Sequence, residues 1–255
     1  MAVHTAELLL PAASFAAGWV DSVVGGGGLI QLPALLLALP QVPVTMAMGT
    51  NKFASVFGTT SAAVTYGRRV KHDWRTLAPT ALLAIGSAAC GAVAASHVSS
   101  ADLRPIILGV LGAVALLVLS RPSLGKATHE RPESSRARRF AVALLCGGAI
   151  GFYDGMIGPG TGTLLILAFT GLLGLDFVRA SATSKVVNAC TNLGALLVFA
   201  SLGQIMVELG VVMAVCNMAG SWLGARTALK RGTGFVRGLL IAVVAALIVK
   251  AALTS

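Results

Sequence analysis

Ten apolar blocks follow one another along the chain, at 7–24, 27–39, 44–66, 76–97, 102–120, 138–157, 160–174, 177–200, 205–229 and 234–253, with short polar breaks between them. A bilayer-spanning helix needs about 20 apolar residues, with a range of roughly 17–25. Most of the blocks meet that length. The exceptions, 27–39 and 160–174, are short and follow glycine-rich breaks directly, the pattern of broken or re-entrant helices. The expected fold is therefore an all-α polytopic membrane protein.

Charge supports that reading. Of 255 residues, 11% are charged and 56% hydrophobic, and mean hydropathy is +0.87. So few charges cannot clothe a water-soluble surface. The net charge of +10 does not point to nucleic acid, because the basic residues sit between apolar blocks and not along one polar face. Cys90, Cys146, Cys190 and Cys216 lie apart inside apolar stretches, so small buried hydrophobes are expected and no metal site. No cofactor is expected either. The first 20 residues lack a basic leader region, and a cleavable signal is not expected.

The two halves of the chain resemble one another. A shift of 133 residues puts Gly18 on Gly151, Asp21 on Asp154, Gly25 on Gly158, Gly27 on Gly160, Ala47 on Ala180, Thr50 on Thr183 and Lys52 on Lys185. Nine of the 35 positions from Gly18 to Lys52 are identical, and they include an aspartate and a lysine that shared apolar composition would not align. An internal duplication is expected. The organisation is then a first transmembrane repeat (1–120), a basic linker (121–138) and a second repeat (139–255).

Loop charge orients the halves. Arg68, Arg69, Lys71 and Arg75 follow one block, whereas the equivalent loop at 200–208 has no basic residue. Conversely, Arg226, Lys230, Arg231 and Arg237 fall in a loop whose partner near 97–104 has only Arg104. With Arg121, Lys126, Arg131, Arg136 and Arg138 of the linker and Arg139 just after it, these stretches hold 14 of the 19 basic residues. Placing all three in the cytoplasm puts equivalent loops on opposite sides of the membrane. The expectation is two inverted repeats of about five segments each, in a cell (inner) membrane, with both termini outside.

Four ionisable residues lie inside the apolar blocks: Asp21, Lys52, Asp154 and Lys185. Each costs at least about 2.5–3.5 kcal/mol to insert, so they face protein or a water-filled cavity. Buried ion pairs that hold helices together are one reading; a substrate site between the repeats is the other, and a lysine can exchange an aspartate for an anion. The breaks Gly25-Gly26-Gly27-Gly28 and Gly158-Pro159-Gly160-Thr161-Gly162 each end one helix and start a short one, exposing N–H groups at a positive helix N-terminus. Helix packing also uses glycine, but four in succession exceed that need. Neither break continues into a dinucleotide or Walker phosphate loop. Polar residues cluster with the lysines: Gly49, Thr50, Asn51 and Ser55 in one half, and Ser181, Thr183, Ser184, Asn188 and Asn192 in the other. Ser181, Lys185, Asn188 and Asn192 share one helix face. Interhelical hydrogen bonding explains the amides and hydroxyls but not the lysines, which suit a small oxyanion.

The run AGWVDSVVGGGGLIQLP with Gly49-Thr50-Asn51-Lys52, and GFYDGMIGPGTG with Ser181-Ala-Thr-Ser-Lys185-Val-Val-Asn188, closely resemble the TauE/SafE-like sulfite exporter family of membrane permeases. The resemblance extends over nearly the whole chain. It implies secondary transport of a small sulfur-containing anion (sulfite, sulfoacetate or another organosulfonate), and export as the direction. The expected site comprises Gly25 to Gly28, Thr50, Asn51 and Lys52 from the first half. From the second it takes Gly158, Gly160, Thr161, Gly162, Thr183, Ser184, Lys185 and Asn188. Asp21 and Asp154 are the candidates for proton or ion coupling. A passive anion channel, or an uptake permease for a different small anion, would use the same parts. An enzyme would want clustered His, Cys or carboxylates, and His4, His72, His97 and His129 are dispersed. The expected partners are the anion and the lipid bilayer, with the protein a monomer or homodimer.

Overall fold

The computed structural model describes residues 2–120 and 135–254, and they are helical with no strand among them. The helices are α1 (Ala2–Val24), α2 (Gly28–Ala38), α3 (Val44–Gly67), α4 (Trp74–Ser96) and α5 (Ser100–Ser120). The second half comprises α6 (Arg136–Val142), α7 (Ile150–Met156), α8 (Thr161–Leu173), α9 (Phe177–Ser201) and α10 (Val207–Thr254). A π-helical stretch, Ala143–Ala149, joins α6 to α7 without interruption. α10 changes direction at Gly232, whose backbone leaves the helical region. Most of the expected linker, 121–134 with Arg121, Lys126 and Arg131, lies outside the described residues. Arg136, Arg138 and Arg139 fall within α6, whose first turn is capped by Ser135 Oγ accepting from the Arg138 amide at 3.3 Å.

Local chemistry explains the helix starts. Asp73 caps α4 by accepting from the Arg75 amide, and Asp176 caps α9 by accepting from the amides of Val178 and Arg179 at 2.9 and 3.0 Å. Among the described residues two helices, Trp74–Ser96 and the Val207–Gly232 part of α10, are long and apolar enough to cross a membrane on length and hydropathy alone. α3 and α9 are equally long, but each carries a buried polar stripe that lowers its mean hydropathy. Leu37 and Leu82, each 72% exposed, point outward with Val64, Leu144 and Leu197, giving the apolar exterior expected beside lipid.

Glycine sets how closely the helices approach. Gly220 and Gly224 of α10 lie against the backbone of Phe15 and Trp19 in α1, and Gly18 of α1 lies against Asn217. Similarly, Gly155 of α7 meets the Ala88 carbonyl of α4, and Gly194 of α9 meets that of Ile85. These are the small-residue contacts by which helices pack when lipid removes the hydrophobic drive to associate. Two apolar clusters result. One gathers Val20, Val23, Leu77, Ile166, Phe169 and Phe177, the other Leu10, Leu32, Leu35, Met48, Leu103 and Phe199. The buried charges belong to neither; they sit where α1, α3, α7 and α9 meet.

Candidate anion site

Asp21 occupies the last turn of α1. The helix ends there because Gly25 takes φ 81°, and its amide closes back on the Asp21 carbonyl at 2.8 Å. The chain then turns into α2, and Asp21 Oδ1 accepts from the Gly27 amide at 3.2 Å, tying the carboxylate to the start of the short helix. The second break is built alike. α7 ends at Met156, Gly158 and Gly160 take φ 93° and 84°, and α8 begins at Thr161. Here Asp154 Oδ1 accepts from Thr161 Oγ1 at 2.6 Å, so a side chain does what the Gly27 amide does in the first half.

The two breaks touch. A Cβ on Gly25 would overlap the backbone of Gly162, the Thr163 amide donates to the Gly25 carbonyl at 3.1 Å, and Thr163 Oγ1 donates to the Val24 carbonyl at 3.0 Å. The N-termini of α2 and α8 thus converge on one spot, where their dipoles present positive potential.

Each lysine reaches the aspartate of the other half. Lys52 Nζ lies 2.8 Å from Asp154 Oδ1, and Lys185 Nζ lies 2.7 Å from Asp21 Oδ2. The pairs differ in setting. Lys52 and Asp154 both border a small polar cavity, and the Lys52 ammonium also lies against Gly158. Lys185 is fully buried and contributes nothing to the cavity wall, although its partner Asp21 does. The cavity encloses about 20 Å³, room for one water molecule and not for an organosulfonate.

Around the ion pairs the wall is polar. α3 contributes Asn51, Ser55 and Thr59 at helical spacing with Lys52, and α9 contributes Asn188 and Asn192. Two amides missed by the sequence reading complete it: Gln31 of α2 and Asn217 of α10, joined by a 2.6 Å hydrogen bond from Asn217 Nδ2 to Gln31 Oε1. The signal for both was an amide alone in an apolar block. Three buried polar atoms here, Gln31 Nε2, Asn51 Oδ1 and Asp154 Oδ2, have no hydrogen-bond partner among the described residues. Buried groups of this kind are ordinarily satisfied, so this cluster holds hydrogen-bonding capacity in reserve.

Of the expected site residues, Gly25, Gly27, Gly28, Asn51, Lys52, Gly158, Gly160, Thr161, Gly162 and Asn188 line the cavity, with Asp21 and Asp154. Gly26, Thr50, Thr183, Ser184 and Lys185 do not. Thr50 Oγ1 accepts from the Met206 amide at 3.0 Å and pins α3 to the approach of α10. Thr183 donates to the Arg179 carbonyl and borders a separate basic cavity, while Ser184 donates to the Ser181 carbonyl within α9.

The family model of the sulfite exporter TauE/SafE matches residues 10–251. The chain belongs to this family. Among its relatives, "Probable membrane transporter protein ORF9" of Sinorhizobium sp is 35% identical over 250 residues, covering 98% of this chain and 93% of the relative. "Probable membrane transporter protein YfcA" of Escherichia coli K12 is 32% identical over 234 residues, covering 92% and 85%. A "Probable membrane transporter protein" of Haemophilus influenzae is also 32% identical, covering 89% and 87%. No solved structure matches the chain. As a TauE/SafE member, the protein is a membrane transporter and not an enzyme.

Proposed function

We propose that the protein moves a small sulfur-containing anion, sulfite or an organosulfonate, outward across the inner membrane by proton-coupled alternating access. The observation that carries this reading is the Lys52–Asp154 pair, which borders a small polar cavity between two touching glycine breaks. As it stands the site is electrically balanced, two lysines against two aspartates. An anion added to a buried, balanced site leaves uncompensated negative charge, which a water-poor interior resists strongly. A proton on an aspartate restores the balance. The anion takes the Lys52 ammonium, Asp154 releases it and accepts the proton, and Asn51 and Asn188 orient the bound oxygens. Gly25 and Gly28 on one side, and Gly158, Gly160 and Gly162 on the other, let the chain approach the anion closely.

In this reading the Asp21–Lys185 pair is a strut that holds α1 to α9, and the halves are inverted repeats that rock about the site. The matched motifs at a fixed shift and the one-sided basic loops support that arrangement, with the basic loops cytoplasmic and the termini outside. At about 20 Å³ the cavity has to widen before it can load the anion.

Proteoliposomes test the reading. A pH gradient imposed across them should drive sulfite against its concentration gradient, and Lys52→Met should abolish that movement. Downhill flux with no response to the gradient would make the protein a passive channel; unaltered coupled transport by Lys52→Met would remove the site.

A further inference from the structure

A second place on the molecule has the chemistry of a ligand site. α3 and α10 pack side by side, and their outward faces leave a groove between them. One cavity of about 430 Å³ runs along Phe57, Thr60, Val64, Met218 and Trp222. It continues into another of about 440 Å³ walled by Arg68, Arg69, Arg226, Lys230 and Leu229, and the two share Thr65, Arg68 and Trp222. One end of the groove is therefore apolar and the other strongly basic, and among the described residues no carboxylate lines either part. Phe57, Val64, Met218 and Trp222 are all exposed. At the junction the Arg226 guanidinium stacks 3.8 Å over the Trp222 ring, an amphipathic pair suited to a membrane–water boundary.

We propose that this groove holds one anionic phospholipid, its phosphate against Arg68, Arg69, Arg226 and Lys230 and one acyl chain laid along Phe57, Val64 and Met218. Charge selects the occupant. A zwitterionic lipid would satisfy the apolar length but leave the basic end uncompensated. A soluble phosphate would satisfy the basic end but leave the groove empty. Basic pockets between transmembrane helices at the headgroup level suit acidic lipid heads. The site is independent of the anion cavity and shares no residue with it.

Native mass spectrometry of the full-length protein, titrated with phosphatidylglycerol or phosphatidylcholine, tests this. Each basic side chain near an anionic group contributes roughly fivefold. The unmodified protein should therefore retain phosphatidylglycerol over phosphatidylcholine, and the double variant Arg69→Gln/Arg226→Gln should lose about 25-fold of that preference. Both residues are exposed, so folding is unaffected. Thr60→Trp, which fills the apolar part, should weaken both lipids alike. Free glycerol 3-phosphate should fail to compete. Equal retention of the two lipids, an unchanged preference in the double variant, or competition by glycerol 3-phosphate would each overturn the proposal. So would a dimer that dissociates in Thr60→Trp with lipid retention intact, because the groove would then seat a second copy.

Discussion

Replacing Asp154 with asparagine separates a ligand lysine from a structural one. Lys52 Nζ lies 2.8 Å from Asp154 Oδ1, with both side chains at most 3% exposed. Taking the carboxylate charge away leaves the ammonium buried and unpaired, which costs about 3–5 kcal/mol of stability. Asparagine preserves the volume and can still accept from Thr161. If the anion competes with Asp154 for Lys52, the same change removes the competitor. A hydrogen bond to a charged group is worth about 1.5–3 kcal/mol, so the anion should bind roughly 10- to 150-fold more tightly. Thermal unfolding in detergent, followed across a sulfite titration, reads both effects. The variant should melt lower when empty, and sulfite should raise its melting temperature more than that of the unmodified protein. Tighter binding should accompany poor uphill transport, because the proton acceptor is gone. If Asp154→Asn binds sulfite no better than the unmodified protein, Asp154 does not compete for Lys52 and the exchange mechanism fails.

Further outcomes follow from other positions. Lys185→Met should destabilise the protein by about 3–5 kcal/mol by stranding Asp21, and sulfite should not rescue its melting temperature, since Lys185 lies behind the cavity wall. Gly25→Ala should cost more than about 2 kcal/mol, because it combines a left-handed backbone with an overlap on Gly162; a melting temperature within a degree or two of the unmodified protein would contradict the contact. His72 lies in the loop before α4, and burial lowers its pKa below the ordinary value. Its neutral form is therefore favoured on folding, so stability should be full above about pH 6.5 and decline as pH falls toward the lowered native value. His72→Gln should flatten the melting temperature between pH 7 and 5, and an unchanged slope would assign that pH dependence elsewhere.

The breaks and the charges were legible because each violates a strong local rule. Four glycines after Asp21 cannot continue a helix, and a lysine inside an apolar helix needs a partner. The partner itself was not legible. Each half carries one acid and one base, Asp21 with Lys52 and Asp154 with Lys185, yet folding pairs them across the halves, because pairing depends on how α1, α3, α7 and α9 meet and not on spacing within a half. Thr50 and Thr183 were drawn into the expected site by proximity in sequence. Each precedes its lysine by two positions, about 200° around a helix, so it faces away. Helical period alone would have removed both. Gln31 and Asn217 carried a weaker signal, since a single amide among apolar residues has many possible partners.

The crossing of the ion pairs constrains how the protein is made. Lys185 follows Asp21 by 164 positions, so at about 5–20 residues per second Asp21 waits roughly 8–33 s for its partner to be synthesised. Over that interval the emerging first half carries a bare carboxylate and a bare ammonium in segments destined for lipid. It cannot settle into its mature packing and leave the translocation machinery as a finished unit. Its ion pairs are completed only when the second half arrives with the opposite charges, so the packing of the first half waits on the synthesis of the second.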